Sequence, residues 1–451
     1  MPRDPVFTPF GAARTVTGSC HLLSYRGYRL LLECGAYQGE AEPRNYTPFG
    51  FDPTRVNAVI VTHAHLDHIG RLPRLVRAGY RGPVYATPPT LKLLRPILED
   101  ALKVMREEAE RAKRKHLPIP EPLWDEEDLA ELYRRLTPLS YYRPRPFGPF
   151  TVELQNAGHL PGSAFAVVEV AGRRLVFSGD LGNRRKEVLP DPDYPPHANL
   201  VVSEGTYGDR PHKPLAATLD EFALWVAETL SRGGKVVIPS FALERTQEIL
   251  YYLREFEEKG RIPVAPVFVD SPLASRVSAL FEEVREAFSL KVQTLYRQGR
   301  DPFRPRRLRY TVSVEESKAL NELEGPATII AGSGMLTGGR ILHHLRHQLP
   351  NPKNTLLFVG YQPRGGLGRR ILEGARVLRI HGHEVPVRAR VASLGGFSGH
   401  AGLDELLDWL AGEPRILLVH GEPDKLAALK ARLGARGQEA RIAALAQPYP
   451  F

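Results

Sequence analysis

The 451-residue sequence predicts an α/β protein with two domains, or with one large domain that carries an insertion. Its length is the first reason, because a chain of this size rarely folds around a single core. The second is a series of short apolar runs in residues 1–208, each ending in Gly, Asp or His, as buried strands with polar carboxyl ends do. The third is an alternation of strand and helix patterns between residues 209 and 378, which predicts a parallel sheet covered by helices.

Strand patterns dominate residues 1–208. A charged helical pattern interrupts them at about residues 103–120 and ends in prolines, and its basic cluster Arg111–Lys115 is either a solvated helix face or an RNA contact. The strand patterns are YRLLLECG (28–35), VNAVIVTHAH (56–65), GPVYAT (82–87), RRLVFSGD (173–180) and NLVVSEGTYG (199–208).

Residues 209–378 have a different rhythm. Their helical patterns are TLDEFALWVAETL, ERTQEILYYLREFEE, ASRVSALFEEVREAF and GRILHHLRHQL, and their strand patterns are KVVIPSFA, APVFVDS, ATIIAGS and NTLLFVGYQ. From residue 379 the hairpin pattern RIHGHEVPVRARVASLGG, the helix LDELLDWLAG and the strand RILLVH return to the style of the first region.

Composition excludes several classes of protein. With 42% hydrophobic and 25% charged residues the chain is neither disordered, collagen-like nor a coiled coil. No apolar run approaches the roughly 18 to 20 residues of a membrane span, the N-terminus lacks a signal-peptide core, and Cys20 and Cys34 cannot make a disulfide framework. We therefore expect a cytoplasmic protein with no membrane partner. The net charge of +10 favours a polyanionic partner such as nucleic acid.

The strongest chemical signal is HAHLDH, residues 63–68. His63 and His65 are two residues apart, so an extended chain points both side chains the same way. Asp67 and His68 then enter a turn and address a second point nearby. Imidazole and carboxylate are the ligands of Zn²⁺, and this density predicts a pair of ions. Further candidates stand at strand ends followed by small residues: His159, Asp180 and His420.

Together these residues resemble the metallo-β-lactamase superfamily, whose hallmark is HxHxDH followed by a distant His, an Asp and a last His. The resemblance implies two Zn²⁺ ions. One would be held by His63, His65 and His159 and the other by Asp67, His68 and His420, with Asp180 bridging both. Glu33 occupies a strand-end position where the superfamily usually has Asp, and it is expected to brace the site from behind the ligands.

Three further segments look like the motifs of the β-CASP branch, which acts on nucleic acids: residues 204–210 (EGTYGDR), 396–402 (GFSGHAG) and 417–422 (LLVHGE). His at position 400 favours RNA over DNA. The resemblance implies a metallo-β-lactamase αββα sandwich with an inserted β-CASP domain. Since ligands lie on both sides of the middle region, we expect the sandwich in residues 1–208 and 379–451, the insertion in 209–378, and the active site in the cleft between the two domains.

Phosphodiester hydrolysis needs a nucleophile, neutralisation of the phosphate charge and a proton for the leaving oxygen. Asp67 is expected to orient the nucleophile while it binds metal. His400 is the predicted general acid, and Glu204 is expected to hydrogen-bond His400 and raise its pKa. Single-stranded RNA is the expected substrate, because a duplex is too wide for a buried metal pair.

Substrate contacts are predicted at three residues. Ser333 and Gly334 lie in AGSGM between a strand and a helix, where they either cradle a phosphate or form an ordinary turn. Arg245 at a predicted helix start either binds phosphate or pairs with Glu244 or another acid. His343, His344 and His347 are interpreted as helix surface or domain interface.

Several alternatives stay open at this point. The activity is endonucleolytic or proceeds from a 5′ end. The sequence ends at Phe451 without the additional C-terminal domain of the J-class ribonucleases, which favours internal cleavage. A small-molecule metallo-hydrolase and a non-catalytic RNA-binding subunit are the other classes considered. The preferred RNA and the oligomeric state, with a homodimer among the alternatives, are not determined by the sequence.

Overall fold

The computed structural model describes residues 4–114, 121–363 and 365–451. The chain divides into two compact units. The first unit consists of Met1–Arg184, Leu189–Pro211 and His400–Phe451, and the second of Arg185–Val188 and His212–Gly399. A unit built from both ends of the chain is thus interrupted by another.

The first strands of the first unit precede the HAHLDH motif along the chain. Its elements up to residue 204 are β1 (Val6–Pro9), β2 (His21–Tyr25), β3 (Tyr28–Leu32), β4 (Ala58–Ile60), α1 (Leu66–Ile69), α2 (Leu72–Arg77), β5 (Val84–Ala86), α3 (Pro88–Arg114), α4 (Glu126–Arg135), β6 (Leu136–Pro138), β7 (Arg145–Phe147), β8 (Phe150–Asn156), β9 (Ala164–Val170), β10 (Arg173–Phe177) and β11 (Leu200–Glu204). Short 3-10 helices span Gly39–Tyr46 and Pro53–Arg55.

The second unit alternates helices and strands. Its elements are α5 (Leu215–Ser231), β12 (Lys235–Pro239), α6 (Arg245–Glu258), β13 (Val267–Asp270), α7 (Pro272–Leu280), α8 (Leu290–Arg297), β14 (Leu308–Tyr310), α9 (Val314–Glu322), β15 (Ala327–Ala331), α10 (Arg340–Gln348), β16 (Thr355–Phe358), α11 (Leu367–Leu372), β17 (Val377–Ile380), β18 (His383–Pro386) and β19 (Arg390–Ser393), with a 3-10 helix at Glu282–Ala287. The first unit then resumes with α12 (Leu403–Trp409), β20 (Arg415–Val419), α13 (Pro423–Ala435), β21 (Glu439–Ile442) and β22 (Tyr449–Pro450).

The core of the first unit lies between two sheets. Among the described residues, one sheet has the order β22-β1-β2-β3-β4-β5-β6 and the other the order β21-β20-β11-β10-β9-β8-β7. Phe7, Leu30 and Ile60 of the first sheet pack in one buried cluster with Phe150 and Phe177 of the second. Side chains of α12 and α13 cover the outer face of the second sheet. The predicted sandwich is therefore confirmed.

The direction of the strands determines where the residues of the candidate site lie. Strands β20, β11 and β10 are parallel neighbours, so their carboxyl ends meet at one edge of the sheet. Asp180, Glu204 and His420 stand at or just after those ends. This arrangement brings residues from distant parts of the sequence to a single place.

The second unit is built on an all-parallel sheet. Within the described part of the chain its order is β14-β13-β15-β12-β16-β19. β12, β15 and β16 are buried along their whole length, as strands covered on both faces are. The prediction of a parallel sheet flanked by helices is confirmed.

The two compact units divide the chain at a different place from one predicted boundary. Residues 379–399 were expected to return to the sandwich, but they belong to the second unit. β19 pairs in parallel with β16, through partners such as Leu356 and Val391, and so becomes the edge strand of the second sheet. The return to the sandwich starts at His400, whereas the earlier boundary, expected after residue 208, lies after Pro211.

The charged pattern predicted near residues 103–120 forms the second half of α3, a 27-residue helix that begins at Pro88. Arg111, Lys113 and Arg114 are exposed in its last turn, while residues 115–120 lie outside the described residues. Across the described ranges, no helix combines the length and apolar character that crossing a membrane requires. Cys20 and Cys34 are buried free cysteines.

Candidate metal centre

The HAHLDH motif changes conformation at its middle. Residues 61–64 continue from β4 in irregular, extended chain, and His65 is the N-cap of α1, with φ −69° and ψ 147°. Asp67 and His68 are therefore helical, whereas His63 lies before the helix. Two backbone hydrogen bonds hold the turn: Ser19 N donates to Asp67 O at 2.9 Å and Cys34 N donates to His68 O at 2.9 Å.

A first cluster gathers around His65. Its Nδ1 lies 3.2 Å from His63 Nε2 and 3.2 Å from His159 Nε2. Asp180 Oδ2 lies 3.5 Å from His63 Nε2 and 3.7 Å from His159 Nε2. His159 belongs to the turn between β8 and β9, where its backbone N–H donates to Ser163 Oγ at 2.9 Å. Four side chains thus point their nitrogen or oxygen atoms at a common space.

A second cluster shares Asp180 with the first. His68 Nε2 lies 3.3 Å from Asp180 Oδ2 and 3.6 Å from Asp67 Oδ2. His420 Nε2 lies 3.6 Å from Asp180 Oδ1 and 3.7 Å from Asp67 Oδ2. His420 follows β20, and its backbone N–H donates to Ala12 O at 2.7 Å. All seven residues that the sequence singled out as ligands are therefore brought together.

These residues fit a pair of divalent cations. Both carboxylate oxygens of Asp180 and both ring nitrogens of His68 are buried without a hydrogen-bond partner, although buried polar atoms normally have one. Ligand atoms about 2.1 Å from a tetrahedral zinc ion stand about 3.4 Å apart. The separations of 3.3 Å and 3.5 Å from Asp180 Oδ2 to His68 and His63 match that spacing. A cation held between these residues would satisfy atoms that the protein itself leaves without a hydrogen-bond partner.

The charge states also suit metal binding. Burial lowers the pKa of His63 well below its usual range, so the ring is neutral and keeps a lone pair for a cation. Burial raises the pKa of Asp180, but the neighbouring His420 and His68 outweigh burial and lower it well below its usual range, so the carboxylate stays ionised. Burial lowers the pKa of His68, but Asp180 and Asp67 outweigh burial and raise it well above its usual range, so this ring would release its proton when a cation binds. A neutral imidazole and an ionised carboxylate are the forms that ligate zinc.

Two residues behind the ligands fix their orientation. Thr62 Oγ1 lies 3.0 Å from His63 Nδ1, which directs His63 Nε2 into the first cluster. Glu33 is fully buried; its Oε1 accepts from Thr62 N at 2.9 Å and its Oε2 lies 3.5 Å from His68 Nδ1. Sequence reasoning named Glu33 but missed Thr62. Its hydroxyl directly before the first motif histidine was the available signal.

His400 and Glu204 form a pair beside the clusters. His400 Nδ1 lies 3.1 Å and 3.2 Å from the two oxygens of Glu204, and 3.9 Å from Asp180 Oδ2. Glu204 is fully buried at the end of β11, and its Oε1 also accepts from Leu181 N at 2.6 Å. Burial lowers the pKa of His400, but the Glu204 carboxylate, followed by Asp180 and Asp67, outweighs burial and raises that pKa to about 9. In the metal-free protein, Glu204 thus favours the protonated form of His400 next to the two clusters of candidate ligands.

Arg245 does not have the setting predicted for a phosphate ligand. It is only 6% exposed, its Nε lies 3.1 Å from Glu248 Oε2, and its guanidinium lies 3.5 Å from Glu244. The structure therefore contains the other predicted arrangement, in which Arg245 pairs with acidic residues. The reason is burial, because a guanidinium inside the second unit needs carboxylates close to it.

Ser333 and Gly334 lie in a turn that is longer than expected. The following helix, α10, begins only at Arg340, so Ser333 is not at a helix start. Ser333 Oγ accepts from Thr337 N at 3.0 Å, and Gly334 O accepts from Gln362 Nε2 at 2.9 Å. A role for these two residues in substrate binding stays a prediction.

His344 is a buried residue, contrary to the surface or interface position expected for it. Its Nε2 lies 2.6 Å from Asp270 Oδ2. Arg340 and Ser317 donate to the same carboxylate, at 2.7 Å and 2.6 Å. His343 and His347 on the same helix are exposed. His344 thus belongs to a polar network inside the second unit.

Three family models match the chain. The metallo-beta-lactamase superfamily matches residues 13–221, the Beta-Casp domain matches residues 246–371, and a domain described as a Zn-dependent metallo-hydrolase RNA specificity domain matches residues 384–443. Together they account for the two units and for the segment that carries His400 and His420.

Relatives extend over nearly the whole chain. Ribonuclease TTHA0252 of Thermus thermophilus is 55% identical over 442 residues, covering 98% of this chain and 99% of the relative. Transcription termination factor FttA of Methanosarcina mazei is 32% identical and Endoribonuclease YSH1 of Eremothecium gossypii is 30% identical, covering 92% and 95% of this chain. The chain spans 66% and 56% of the lengths of these two relatives.

A solved structure supports the fold alone. A protein of unknown function from Enterococcus faecalis superposes with a TM-score of 0.57 at 14% identity, covering 99% of this chain and all of the other. The matched domains, the full-length relative and the assembled ligand set lead to one conclusion. The chain belongs to the β-CASP family of the metallo-β-lactamase superfamily, and it is a metal-dependent hydrolase.

Proposed function

We propose that the protein is a two-zinc endoribonuclease that hydrolyses phosphodiester bonds in single-stranded RNA. The observation that carries the proposal is Asp180, a buried carboxylate that stands between two histidine clusters with neither oxygen hydrogen-bonded. The name of the relative that is 55% identical, a ribonuclease, supports RNA as the substrate. The name of YSH1, an endoribonuclease, supports internal cleavage.

His63, His65, His159 and Asp180 would hold one zinc ion, and Asp67, His68, His420 and Asp180 the other. When bound, such a pair supplies a water-derived nucleophile at neutral pH and neutralises charge on the non-bridging phosphate oxygens. The protein has to provide the remaining steps, which are orientation and proton transfer.

Asp67 orients the attacking water. Its side chain is 18% exposed, more than the buried Asp180, so it borders the solvent side of the clusters. His400 donates the proton that the departing ribose oxygen requires. Glu204 engages His400 Nδ1, which leaves Nε2 as the ring atom that delivers this proton. Burial disfavours the charged form of His400, but the Glu204 carboxylate outweighs burial, raises the pKa of His400 and favours the protonated ring.

The first test compares His400→Ala with His197→Ala, a control at a histidine of the same unit that is 74% exposed. We expect His400→Ala to lose about 10²- to 10⁴-fold in kcat on single-stranded RNA while keeping wild-type zinc content by mass spectrometry. His197→Ala should keep both. Loss of zinc in His400→Ala would make His400 a ligand, and full activity would remove it from the mechanism.

Labelled RNA decides the mode of cleavage. The same oligonucleotide, labelled at its 5′ end or its 3′ end, is digested in parallel, and internal cleavage yields fragments of intermediate length from both. Release of labelled mononucleotide from the 5′ end alone would replace the proposal with a 5′-exoribonuclease. Turnover of a thioester or β-lactam without RNA cleavage would identify a small-molecule hydrolase, and faster cleavage of duplex would overturn the single-strand preference.

A further inference from the structure

The parallel sheet of the second unit has a topological switch point. From β12 the chain crosses to β13 on one side, and from β15 it crosses to β16 on the other, although β12 and β15 are neighbours. Connections that leave adjacent strands in opposite directions open a crevice outside their carboxyl ends, and ligands of open α/β sheets bind there. At this point of the sheet, residues 240–243 follow β12 and residues 332–336 follow β15, and Gly334 lies next to Phe241.

Phe241 stands in this crevice with 41% of its surface exposed. Its backbone is held firmly, because Thr246 Oγ1 donates to Phe241 O at 2.7 Å and Ser240 N donates to Ala331 O at 3.0 Å. A large apolar ring on a fixed backbone at a strand end contributes less to the core than the fully buried aromatic residues of this unit. The exposed part of the ring is therefore available for contact with a ligand.

One side of the Phe241 ring rests on backbone. A Cβ atom added to Gly334 would come within 3.1 Å of ring atoms Cδ2 and Cε2, and one added to Gly360 would lie 3.9 Å from Cε2. The two glycines thus leave room for the ring, and Gln362 holds the Gly334 carbonyl by the hydrogen bond from its Nε2. The ring is supported from behind and open in front, as a stacking platform must be.

The charge of the second unit suits a polyanionic strand. Its residues include 29 Lys and Arg against 20 Asp and Glu, a net +9, so it carries nearly all of the chain's +10. The first unit, with 32 against 31, carries only +1. A basic unit with a supported, exposed aromatic ring has the two features by which proteins bind single-stranded nucleic acid.

We propose that Phe241 stacks against one base of the RNA substrate, and that the absence of a side chain at Gly334 leaves room for the ring. This inference rests on the proposed ribonuclease function and names a substrate-binding residue for it. Because every base has an aromatic face, this contact is tolerant of sequence and acts on affinity. It gives the switch-point crevice of the second unit a role in selecting unpaired nucleotides.

The test measures KM and kcat of the zinc-loaded enzyme on a single-stranded oligonucleotide. Phe241→Ala should raise KM about 10-fold or more with little change in kcat, whereas Phe241→Trp should keep the wild-type KM. Phe241→Leu, which is apolar but has no aromatic face, should resemble Phe241→Ala. Gly334→Ala should also raise KM, because its methyl group displaces the ring. Tyr46→Ala, at an aromatic residue of the other unit that is 39% exposed, is the matched control and should leave KM unchanged.

An abasic scan makes the test specific. In oligonucleotides that lack one base at successive positions, the wild-type enzyme should show a raised KM at one distance from the scissile bond. For the Phe241→Ala enzyme, removing the base at that position should leave KM unchanged. The stacking role would be overturned if Phe241→Ala or Phe241→Leu had the wild-type KM. It would also be overturned if Phe241→Ala lowered only kcat, or if this variant had a different oligomeric mass in solution from the wild type. If the wild type cleaves RNA but the abasic scan is flat, this inference fails alone; if the wild type cleaves no RNA, the proposed function fails first.

Discussion

Two buried aspartates, one in each unit, show how differently the units use the same residues. Asp270 ends β13 in the second unit and accepts four hydrogen bonds of 2.6 to 2.7 Å, from Thr311, Arg340, Ser317 and His344. Asp180 follows β10 in the first unit, has histidines nearby at 3.3 to 3.7 Å, and accepts none. Both are aspartates at strand ends with histidine neighbours.

The difference separates a structural network from a binding site. A carboxylate whose lone pairs are all used in hydrogen bonds stabilises its own fold, whereas one whose lone pairs accept no hydrogen bond is available to bind a cation. The net charges agree with this division, since the first unit is nearly neutral and the second is strongly basic. The candidate metal ligands lie in the first unit, and most of the net positive charge, which attracts a polyanion, lies in the second.

The largest effect is expected at Asp180. Asp180→Ala removes the carboxylate shared by both clusters, so zinc content and activity should fall together. The loss should exceed the about 10⁴-fold upper range for one proton-transfer group, because nucleophile formation and charge neutralisation both depend on the metal pair. Zinc analysis and RNA turnover measure it. Full zinc occupancy in this variant would show that Asp180 is not a ligand.

The opposite pattern is expected at Asp270. Asp270→Ala leaves Arg340 and His344 without their buried partner, and the free energy of unfolding should fall by about 3 to 5 kcal/mol in urea denaturation. Zinc content per folded molecule should be unchanged. In metal-free protein, Asp180→Asn should change the free energy of unfolding much less than Asp270→Ala, because Asp180 accepts no hydrogen bond that the substitution would break. If both aspartates behaved alike, the contrast between the units would not hold.

A smaller effect is expected at Glu204. Glu204→Gln removes the carboxylate that raises the pKa of His400 to about 9, so that pKa should fall. A general acid works only while protonated, and the alkaline limb of the pH–kcat profile should therefore move to lower pH. At neutral pH the loss in kcat should be less than that of His400→Ala. An unmoved alkaline limb would mean that another group is the acid.

The smallest effect is expected at Glu33. Glu33→Asp shortens the arm that spans Thr62 N and His68 Nδ1, which loosens the orientation of His68. Zinc affinity should fall by about 10-fold, the lower end of the range for residues that support metal ligands. Competition with a chelator measures it. A tighter-binding Asp variant would show that Glu33 does not support the second cluster in this way.

The residues that the structure gathers into two clusters could be named from the sequence, because part of their signal is local and the resemblance to a known family supplies the rest. HAHLDH is contiguous, and His159, Asp180 and His420 each follow an apolar strand pattern. The position of β19 could not be predicted, because its alternating pattern suits the edge of either sheet and its partner β16 is set by nonlocal packing. His344 was misassigned although a signal existed: it shares the buried face of α10 with Ile341, Leu345 and Gln348, at helical spacing. The role of Arg245 was ambiguous because the sequence did not reveal that its guanidinium is buried next to Glu244 and Glu248.

The order in which the chain supplies its parts has a consequence for synthesis. Ribosomes add residues from the N-terminus, and the whole second unit precedes His400 and His420. A nascent chain that has reached residue 399 holds all four side chains of the first cluster, but it has neither the proposed proton donor, His400, nor the last proposed ligand of the second cluster, His420. The residues proposed to complete the active site are thus translated last, after the whole second unit has been made.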